Sequence, residues 1–157
     1  MRRKDRQVTE LTEIIEIIER CDVCRIALSD DNMPYIVPMN FGYEVMDSNI
    51  IIYLHCANEG RKLDILKKNN RVCFEMDCKH RLVTGVKACD CSMDFESVIG
   101  DAVAQIVVNN EDKIHGLNLI MKKYTQKNDY TYEENRLTGV TVLKLVSTGF
   151  TAKRKQR

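Results

Sequence analysis

The 157-residue sequence has no tryptophan, only two prolines and seven glycines, and no long hydrophobic run. A membrane-spanning helix needs roughly 20 consecutive apolar residues, so we expect no membrane contact. So few prolines and glycines, together with 44% hydrophobic residues, exclude a disordered or low-complexity chain. No apolar segment follows the basic start MRRKDRQ, so this start does not predict a secretory signal.

A strong net charge is also missing. Lys and Arg number 24 and Asp and Glu number 23, which gives a formal net charge of +1. A protein that coats nucleic acid presents a broad basic face, so this balance argues against a nucleic-acid partner. Basic residues do cluster at both ends, where we expect solvated tails. They are Arg2, Arg3, Lys4 and Arg6, and then Lys153, Arg154, Lys155 and Arg157.

The size and the cysteine content indicate one domain in a reducing compartment. Domains typically span about 100–150 residues, so we expect residues 1–157 to form a single domain. The seven cysteines are an odd number, and no secretory signal accompanies them. We therefore expect reduced thiols and a cytoplasmic protein instead of a disulfide framework.

Hydrophobic periodicity predicts three helices and six strands. The helices are expected at about 9–20 with Thr9 as the cap, at about 60–69, and from a cap at Asn110 to about Tyr124. The strands are expected at 22–29, 35–45, 50–56, 71–78, 97–108 and 139–150, while 79–93 and 125–138 show no clear pattern. Pro38 would interrupt the second strand, which predicts an edge, a bulge or a bend at that point.

The order of these elements indicates the fold class. Short turns join the first three strands, which makes these strands antiparallel neighbours. Regular alternation of strands and helices is missing, and so is a G-x-G-x-x-G segment, so a dinucleotide-binding parallel sheet is not expected. We therefore predict a mainly β (α+β) fold, an antiparallel barrel or curled sheet with peripheral helices.

The segment HCANEGRKLDIL at 55–66 carries the clearest chemical signal. A strand ends at His55 and Cys56, a loop follows, and a helix then opens with Arg61 and Lys62. Helix N-termini carry a positive partial charge, so two cations there are disfavoured unless an anion lies between them and the helix. A bound phosphate would resolve the conflict. The alternative is that both side chains extend into solvent.

Several segments, in order, resemble the pyridoxamine 5'-phosphate oxidase-like flavoproteins and, within them, the 5-nitroimidazole resistance (Nim) branch. The segments are MRRKDR at 1–6, VPMNFGY at 37–43, YLHCANEGRKLDIL at 53–66, RVCFE at 71–75, KACD at 87–90, SVIGDA at 97–102 and TGFTAKR at 148–154. The resemblance implies a split β-barrel homodimer with one FMN in each of two clefts between the subunits.

The resemblance also implies roles for individual residues. Arg61 and Lys62 would bind the FMN phosphate, and Ser97 would help to hold the phosphate side. The residues expected beside the isoalloxazine ring are Pro38, Met39, Asn40 and Phe41, through their backbone, and His55 and Cys56 at a strand end. Lys153, Arg154 and Lys155 either contact FMN or substrate or form a frayed, solvated tail.

His55 is the candidate catalytic residue, because in the Nim branch a histidine at this position faces the flavin and the substrate. Histidine can hold or release a proton near neutral pH, which suits proton delivery during reduction of a nitro group. The alternative is a half-buried strand histidine bonded to the backbone. The flavin itself would carry the hydride chemistry, so an acid is not obligatory.

The remaining cysteines and histidines have weaker signals. Cys21 and Cys24 form a C-x-x-C pair where a helix ends and a strand begins, the reverse of the redox arrangement, so we interpret them as structural thiols. Four residues of zinc-ligand type lack the usual paired spacing, and we assign no metal site to them. These are Cys78, His80, Cys89 and Cys91. His115 is expected on the surface, and Tyr43 and Phe95 fit either the core or a flavin contact.

The leading functional hypothesis is an FMN-dependent oxidoreductase acting on nitroimidazoles or other nitroaromatic compounds. One alternative keeps the fold without turnover, as a flavin-binding or haem-binding storage or sensor protein. A third is a zinc-stabilised nucleic-acid module built on the Cys/His set and the basic ends. The balanced charge and the poor metal spacing count against that module.

Overall fold

The computed structural model describes residues 2–156. Met1 and Arg157, which belong to the first resemblance segment and to the C-terminal basic cluster, lie outside the described residues. The strands are β1 (Gln7–Val8), β2 (Cys24–Asp30), β3 (Met33–Met39), β4 (Phe41–Met46), β5 (Asn49–Ala57), β6 (Arg71–Val83), β7 (Ser92–Ile106) and β8 (Val140–Lys155). The α-helices are α1 (Leu11–Arg20), α2 (Arg61–Lys68), α3 (Asn110–Thr125) and α4 (Glu134–Thr138).

The strands form one antiparallel sheet in the order β3-β2-β6-β7-β8-β5-β4, and β1 pairs with β8. β3 and β4 lie at opposite ends of this order, yet they are consecutive in the chain and only Asn40 separates them. The sheet therefore curls until its two edges meet at Asn40 without hydrogen-bonding to each other. This arrangement is a split β-barrel with peripheral helices, which confirms the predicted fold class.

The main hydrophobic core fills the inside of the curled sheet. Alternate strand residues point inward, as the two-residue period of a strand requires. Ile26 on β2, Phe74 on β6 and Leu143 on β8 are fully buried there. α1 adds Ile14, Ile17 and Ile18 to the same core from one helical face.

β5 is buried on both of its faces, which explains its uninterrupted run of apolar residues. Ile50, Ile52 and Leu54 belong to the barrel core, while Ile51 and Tyr53 pack outward in a second cluster beneath α3. α3 also lies directly against β4. A Cβ at Gly42 would overlap the backbone of Leu119 and Ile120, so only glycine allows this approach.

Several predicted strand boundaries are wrong because contacts beyond the local pattern extend or divide the strands. The predicted strand 35–45 is interrupted at Asn40, and Pro38 lies within β3, at the sheet edge. The predicted strands 71–78 and 97–108 continue toward each other as β6 and β7, so most of 79–93 belongs to a long hairpin. A register shift between Cys78 and Arg81 marks a bulge in it.

The helix ends differ slightly from the expected ones. Glu10 occupies the N-cap of α1, in place of Thr9. The side chain of Asn109 caps α3 by accepting a first-turn backbone N–H, so Asn109 and not Asn110 is the cap. The segment 125–138, predicted as a loop, contains α4 at its end. No helix of residues 2–156 has the length and apolar character needed to cross a membrane.

The basic residues Lys153, Arg154 and Lys155 do not form a frayed tail, which corrects that expectation. β8 continues to Lys155, and Lys153 pairs with Ser97 on β7. Arg154 donates from Nε to Glu96, at 2.7 Å, and from Nη1 to Glu13, at 2.8 Å. Strand pairing and ion pairs therefore fix Lys153, Arg154 and Lys155, while Arg2, Arg3 and Lys4 at the other end are exposed.

Candidate functional site

A surface groove of about 320 Å³ lies where the two edges of the sheet separate, between the end of β3 and the end of β5. Its lining includes six of the residues predicted from the sequence, brought together from three segments. These are Pro38, Met39, Asn40, His55, Cys56 and Lys62, and Val37 and Ala57 complete the lining. Pro38, Asn40 and His55 are exposed, while Met39, Cys56 and Lys62 are half-buried.

The end of β5 presents a free backbone edge to this groove. β4 begins at Phe41, opposite Leu54, so residues 55–57 extend beyond the last pair of the β4–β5 ladder. Their other edge is occupied, because Cys56 pairs with Thr141 on β8. Among the described strands, none pairs with residues 55–57 from the groove side. Unpaired peptide N–H and C=O groups of this kind can bind the polar rim of a planar ligand.

The N-terminus of α2 supplies anion-binding groups next to the groove. Gly60 precedes the helix with a φ of 135°, a conformation that favours glycine, and a Cβ there would have no neighbour within 4 Å. The amides of Leu63 and Asp64 donate to the Gly60 carbonyl, and among the described residues no side chain caps this end. The first amides of α2 and the helix dipole are therefore available to an anion.

Arg61 and Lys62 point in different directions, which the sequence did not show. The Arg61 guanidinium donates to Oδ2 of Asp30 at 3.1–3.2 Å and stacks over the Tyr35 ring at 4.6 Å. Lys62 lines the groove and has no ion pair within the described part of the chain. Lys62 is therefore the uncompensated cation, while Asp30 neutralises Arg61.

The chemistry of Cys56 also depends on this cation. Burial raises the pKa of the Cys56 thiol, and the charge of Lys62 only partly offsets that effect. The thiol therefore stays protonated at neutral pH, so Cys56 lines the groove as a neutral thiol and not as a thiolate nucleophile. The exposed position of His55 differs from the half-buried alternative and leaves its imidazole accessible from the groove.

Comparison with known proteins shows the family of this chain. Residues 10–154 match the family model described as pyridoxamine 5'-phosphate oxidase. The chain belongs to the pyridoxamine 5'-phosphate oxidase-like family. Its sequence is 34% identical to a candidate 5-nitroimidazole antibiotic resistance protein from Bacteroides thetaiotaomicron, over 94% of this chain and 85% of that chain, with a TM-score of 0.82. A search of curated protein sequences found no significant match.

Two more distant structures share the fold of this pyridoxamine 5'-phosphate oxidase-like chain. An FAD and haem binding protein from Mycobacterium smegmatis superposes with a TM-score of 0.84 at 15% identity, covering 97% of this chain and 74% of that one. A flavocytochrome from Azotobacter vinelandii superposes with a TM-score of 0.81 at 14% identity, covering 100% and 72%. At such low identity these likenesses concern the fold alone.

Three predicted site residues lie outside the groove lining of this family member: Phe41, Arg61 and Ser97. The Phe41 side chain is fully buried in the barrel core, so only its backbone is near the groove. Ser97 lies on the outer face of β7, opposite Asp77 on β6 and Lys153 on β8. β8 separates β7 from β5, so the structure does not bring Ser97 to the groove formed by its own chain.

The other candidate side chains also lie outside the groove. Tyr43 donates to Glu19 at 2.8 Å, and Phe95 is half-buried in the β7–β8 pairing. His115 is exposed, as expected, with Nε2 2.9 Å from Oε2 of Glu44.

The cysteines are all free. Cys21 and Cys24 are buried, and burial raises the pKa of the Cys24 thiol to about 12, which agrees with structural thiols. Cys78 contacts Glu96, whereas Cys91 contacts Gly85 in the hairpin loop. Within residues 2–156, no three His, Cys, Asp or Glu side chains are grouped to hold a metal ion.

Sequence reasoning missed three residues that support the site. Asp30 lies between the predicted strands 22–29 and 35–45, and Tyr35 begins the second of them, yet both contact Arg61. Tyr124 lies at the predicted end of the third helix, yet its hydroxyl accepts the backbone N–H of Phe41 at 3.1 Å. No local pattern contains such pairs, because the partners are distant in sequence.

Proposed function

We propose that this protein binds FMN in the groove between β3 and β5 and is an FMN-dependent oxidoreductase. One observation carries the proposal: a free backbone edge and an uncompensated lysine line a single groove, and an uncapped helix N-terminus lies next to it. A planar heterocycle with a phosphate tail needs these groups together.

The donor set fits FMN part by part. We assign the phosphate to the first amides of α2, with Lys62 and Arg61 as its cations. We assign the isoalloxazine ring to the backbone of residues 38–41 and to the edge at His55 and Cys56. The groove volume of about 320 Å³ is at the small end for a ligand pocket, which typically measures ~300–1,000 Å³.

An open groove of this size supports a homodimer, since a second copy is the simplest cover for a flat ring. Apolar side chains on the outer face of the sheet favour such contact: Ile36 on β3 is 61% exposed and Ile99 on β7 is 47% exposed. Ser97 lies on the same face as Ile99, so we propose that the second copy brings Ser97 to the phosphate side. Seven free thiols support the cytoplasm as the location.

Bound FMN would supply two-electron hydride transfer, and the chain would bind it, orient it and deliver a proton. We propose nitroimidazoles or other nitroaromatic compounds as acceptors, because the Bacteroides relative is 34% identical. His55 lies exposed in the groove, where its imidazole could protonate a reduced acceptor. A nicotinamide donor would enter the same groove transiently.

A flavin-binding or haem-binding protein without turnover is the second candidate. It is favoured by the exposed position of His55 in the groove, because histidine is a residue type that ligates haem iron. The structural likeness to an FAD and haem binding protein is consistent with it but concerns the fold alone.

The test is the visible spectrum of the purified protein, followed by release and identification of the chromophore. FMN near one per subunit supports the site, and anaerobic oxidation of reduced FMN by a nitroimidazole supports the reaction. A flavin that no nitro compound reoxidises favours the second candidate. A colourless protein that takes up no added FMN would overturn both flavin proposals.

Replacing His55 with alanine should lower the rate of nitro reduction at least tenfold, because positioned acids typically contribute about 10²–10⁴-fold. The rates are compared by steady-state assay at equal FMN occupancy, so that loss of cofactor is not counted as loss of catalysis. His115→Ala is the matched control, since His115 is an exposed histidine that bonds to Glu44 and packs edge-on against the Tyr53 ring, outside the groove lining. Equal rates for His55→Ala and the control would exclude a proton-donor role.

A further inference from the structure

The junction between the two edges of the sheet is a single residue, Asn40. Met39 ends β3, where it pairs with Cys24, and Phe41 begins β4, where it pairs with Leu54. The groove lies directly at this junction, because Met39 and Asn40 form one wall and the end of β5 forms the other. The position of Asn40 therefore sets the width of the groove.

A tyrosine on α3 holds this junction from outside the groove. The Tyr124 hydroxyl accepts the backbone N–H of Phe41 at 3.1 Å and donates to the backbone carbonyl of Asp22 at 2.7 Å. One hydroxyl thus links the start of β4 to the segment between α1 and β2. A hydroxyl that both donates and accepts is suited to such a bridge.

The neighbouring lysine strengthens the same connection. Lys123 donates from Nζ to the carbonyls of Ile18 and Glu19 at 3.2 and 3.0 Å, at the end of α1. The Nζ also lies 4.6 Å from the centre of the Phe41 ring, within the range of a cation–π contact. The last turn of α3 is thereby attached both to α1 and to the first residue of β4.

The Phe41 amide needs this partner. Phe41 is fully buried, and a buried N–H without an acceptor is costly. If the hydroxyl is lost, the segment at Asn40 and Phe41 must move to find another acceptor. FMN binding would then have to return Asn40 and Phe41 to their original positions. The free energy spent on this rearrangement would weaken the affinity for FMN.

We propose that Tyr124 is a positioning residue that fixes the Asn40 junction and so preorganises the groove for the isoalloxazine ring. The inference rests on the proposed FMN site. Tyr124 lies on α3, outside the groove lining, and acts only through the backbone of Phe41. It belongs to the cofactor site without touching the cofactor.

The test compares Tyr124→Phe with Tyr132→Phe. Tyr132 also donates a hydroxyl hydrogen bond to α3, to Asn118 at 3.0 Å, but it has no contact with the β3–β4 junction in the described structure. Three quantities are measured for each variant and for the unchanged protein. They are the FMN dissociation constant, the reduction potential of bound FMN at saturation, and the hydrogen-exchange rate of the Phe41 amide without FMN.

We expect Tyr124→Phe to raise the FMN dissociation constant about tenfold, to shift the reduction potential and to speed exchange of the Phe41 amide. Tyr132→Phe should leave all three unchanged. If the unchanged protein binds FMN and Tyr124→Phe matches it in affinity and potential, the positioning role is wrong while the FMN site stands. If the unchanged protein binds no FMN, the proposed function fails and this inference fails with it. Unchanged exchange at Phe41 in Tyr124→Phe overturns the inference independently of FMN.

Discussion

Replacing Glu96 with glutamine should lower the free energy of unfolding by about 3 kcal/mol, because it removes the charge from a buried ion cluster. The Glu96 side chain is 1% exposed. Its two oxygens accept from Arg20, at 2.7–2.8 Å, and from Arg154, at 2.7 Å, and Lys79 lies 3.9 Å away. Glutamine keeps the shape of the side chain and leaves no cavity. The loss of stability would therefore come from the missing charge and the weakened hydrogen bonds.

The cluster joins parts of the fold that the sequence separates widely. Arg20 ends α1, Lys79 lies in the β6 bulge, and Arg154 lies in the last strand. We place the loss of stability near the lower end of the range for buried ion pairs that lose one partner. The reason is that Arg20 and Arg154 are 30% and 25% exposed and can turn toward water. The measurement is urea unfolding at pH 7, where the midpoint should fall and the slope should stay constant.

Glu75→Gln is the matched control for Glu96→Gln. Glu75 also bonds to an arginine, Arg25, at 3.0 Å, but both side chains are about a third or more exposed. Such a pair contributes at most about 1 kcal/mol. Equal losses for the two variants would show that Glu96 has no special role in stability.

The pKa of Glu96 determines how the stability difference between the unchanged protein and Glu96→Gln depends on pH. Burial would raise the pKa of its carboxyl, but the hydrogen bonds from Arg20 and Arg154 outweigh burial and hold the pKa below its ordinary value of 4.5. The charged form therefore stabilises the fold above pH 4.5, and this stability is lost as the pH falls through the lowered value. The gap between the unchanged protein and Glu96→Gln should be full at pH 7 and should shrink in acid.

Replacing Lys62 with methionine should weaken FMN binding by about tenfold or more. A charge-assisted hydrogen bond contributes roughly 1.5–3 kcal/mol, which corresponds to a factor of about 10 to more than 100 in affinity. Lys62 lines the groove and has no ion pair among the described residues, whereas the charge of Arg61 is already paired with Asp30, so Arg61 does not replace the charge of Lys62. The affinity is measured by titrating cofactor-free protein with FMN and following the flavin fluorescence.

Riboflavin and a second lysine provide the controls. Riboflavin has the same ring but no phosphate, so Lys62→Met should leave the affinity for riboflavin unchanged. Lys67→Met removes a charge from the other end of α2, where Lys67 is 64% exposed and paired with Asp64, and it should affect neither ligand. An equal loss for FMN and riboflavin would place Lys62 against the ring and would contradict the phosphate assignment.

The sequence was sufficient to predict most of the helices and strands and most of the residues that line the groove. Short turns and β-branched runs predicted antiparallel strands. The strand–loop–helix segment at 55–66 and the family resemblance predicted His55, Cys56, Arg61 and Lys62 as site residues, and all of these except Arg61 line the groove. Strand ends were predicted less well. β6 and β7 extend one another through their pairing, and Lys153 is ordered by a partner strand, neither of which appears in local periodicity.

The sequence by itself determined the fold class and identified six of the residues that line the groove, because both depend on local patterns and on segments that keep their order along the chain. Only the tertiary structure decided which cation lacks an ion pair and which side chain contacts the junction between β3 and β4. Arg61 is neutralised by Asp30, 31 residues earlier, and Phe41 is held by Tyr124, 83 residues later. Those pairs depend on how the sheet curls, and the curl is set by packing among residues far apart in the chain.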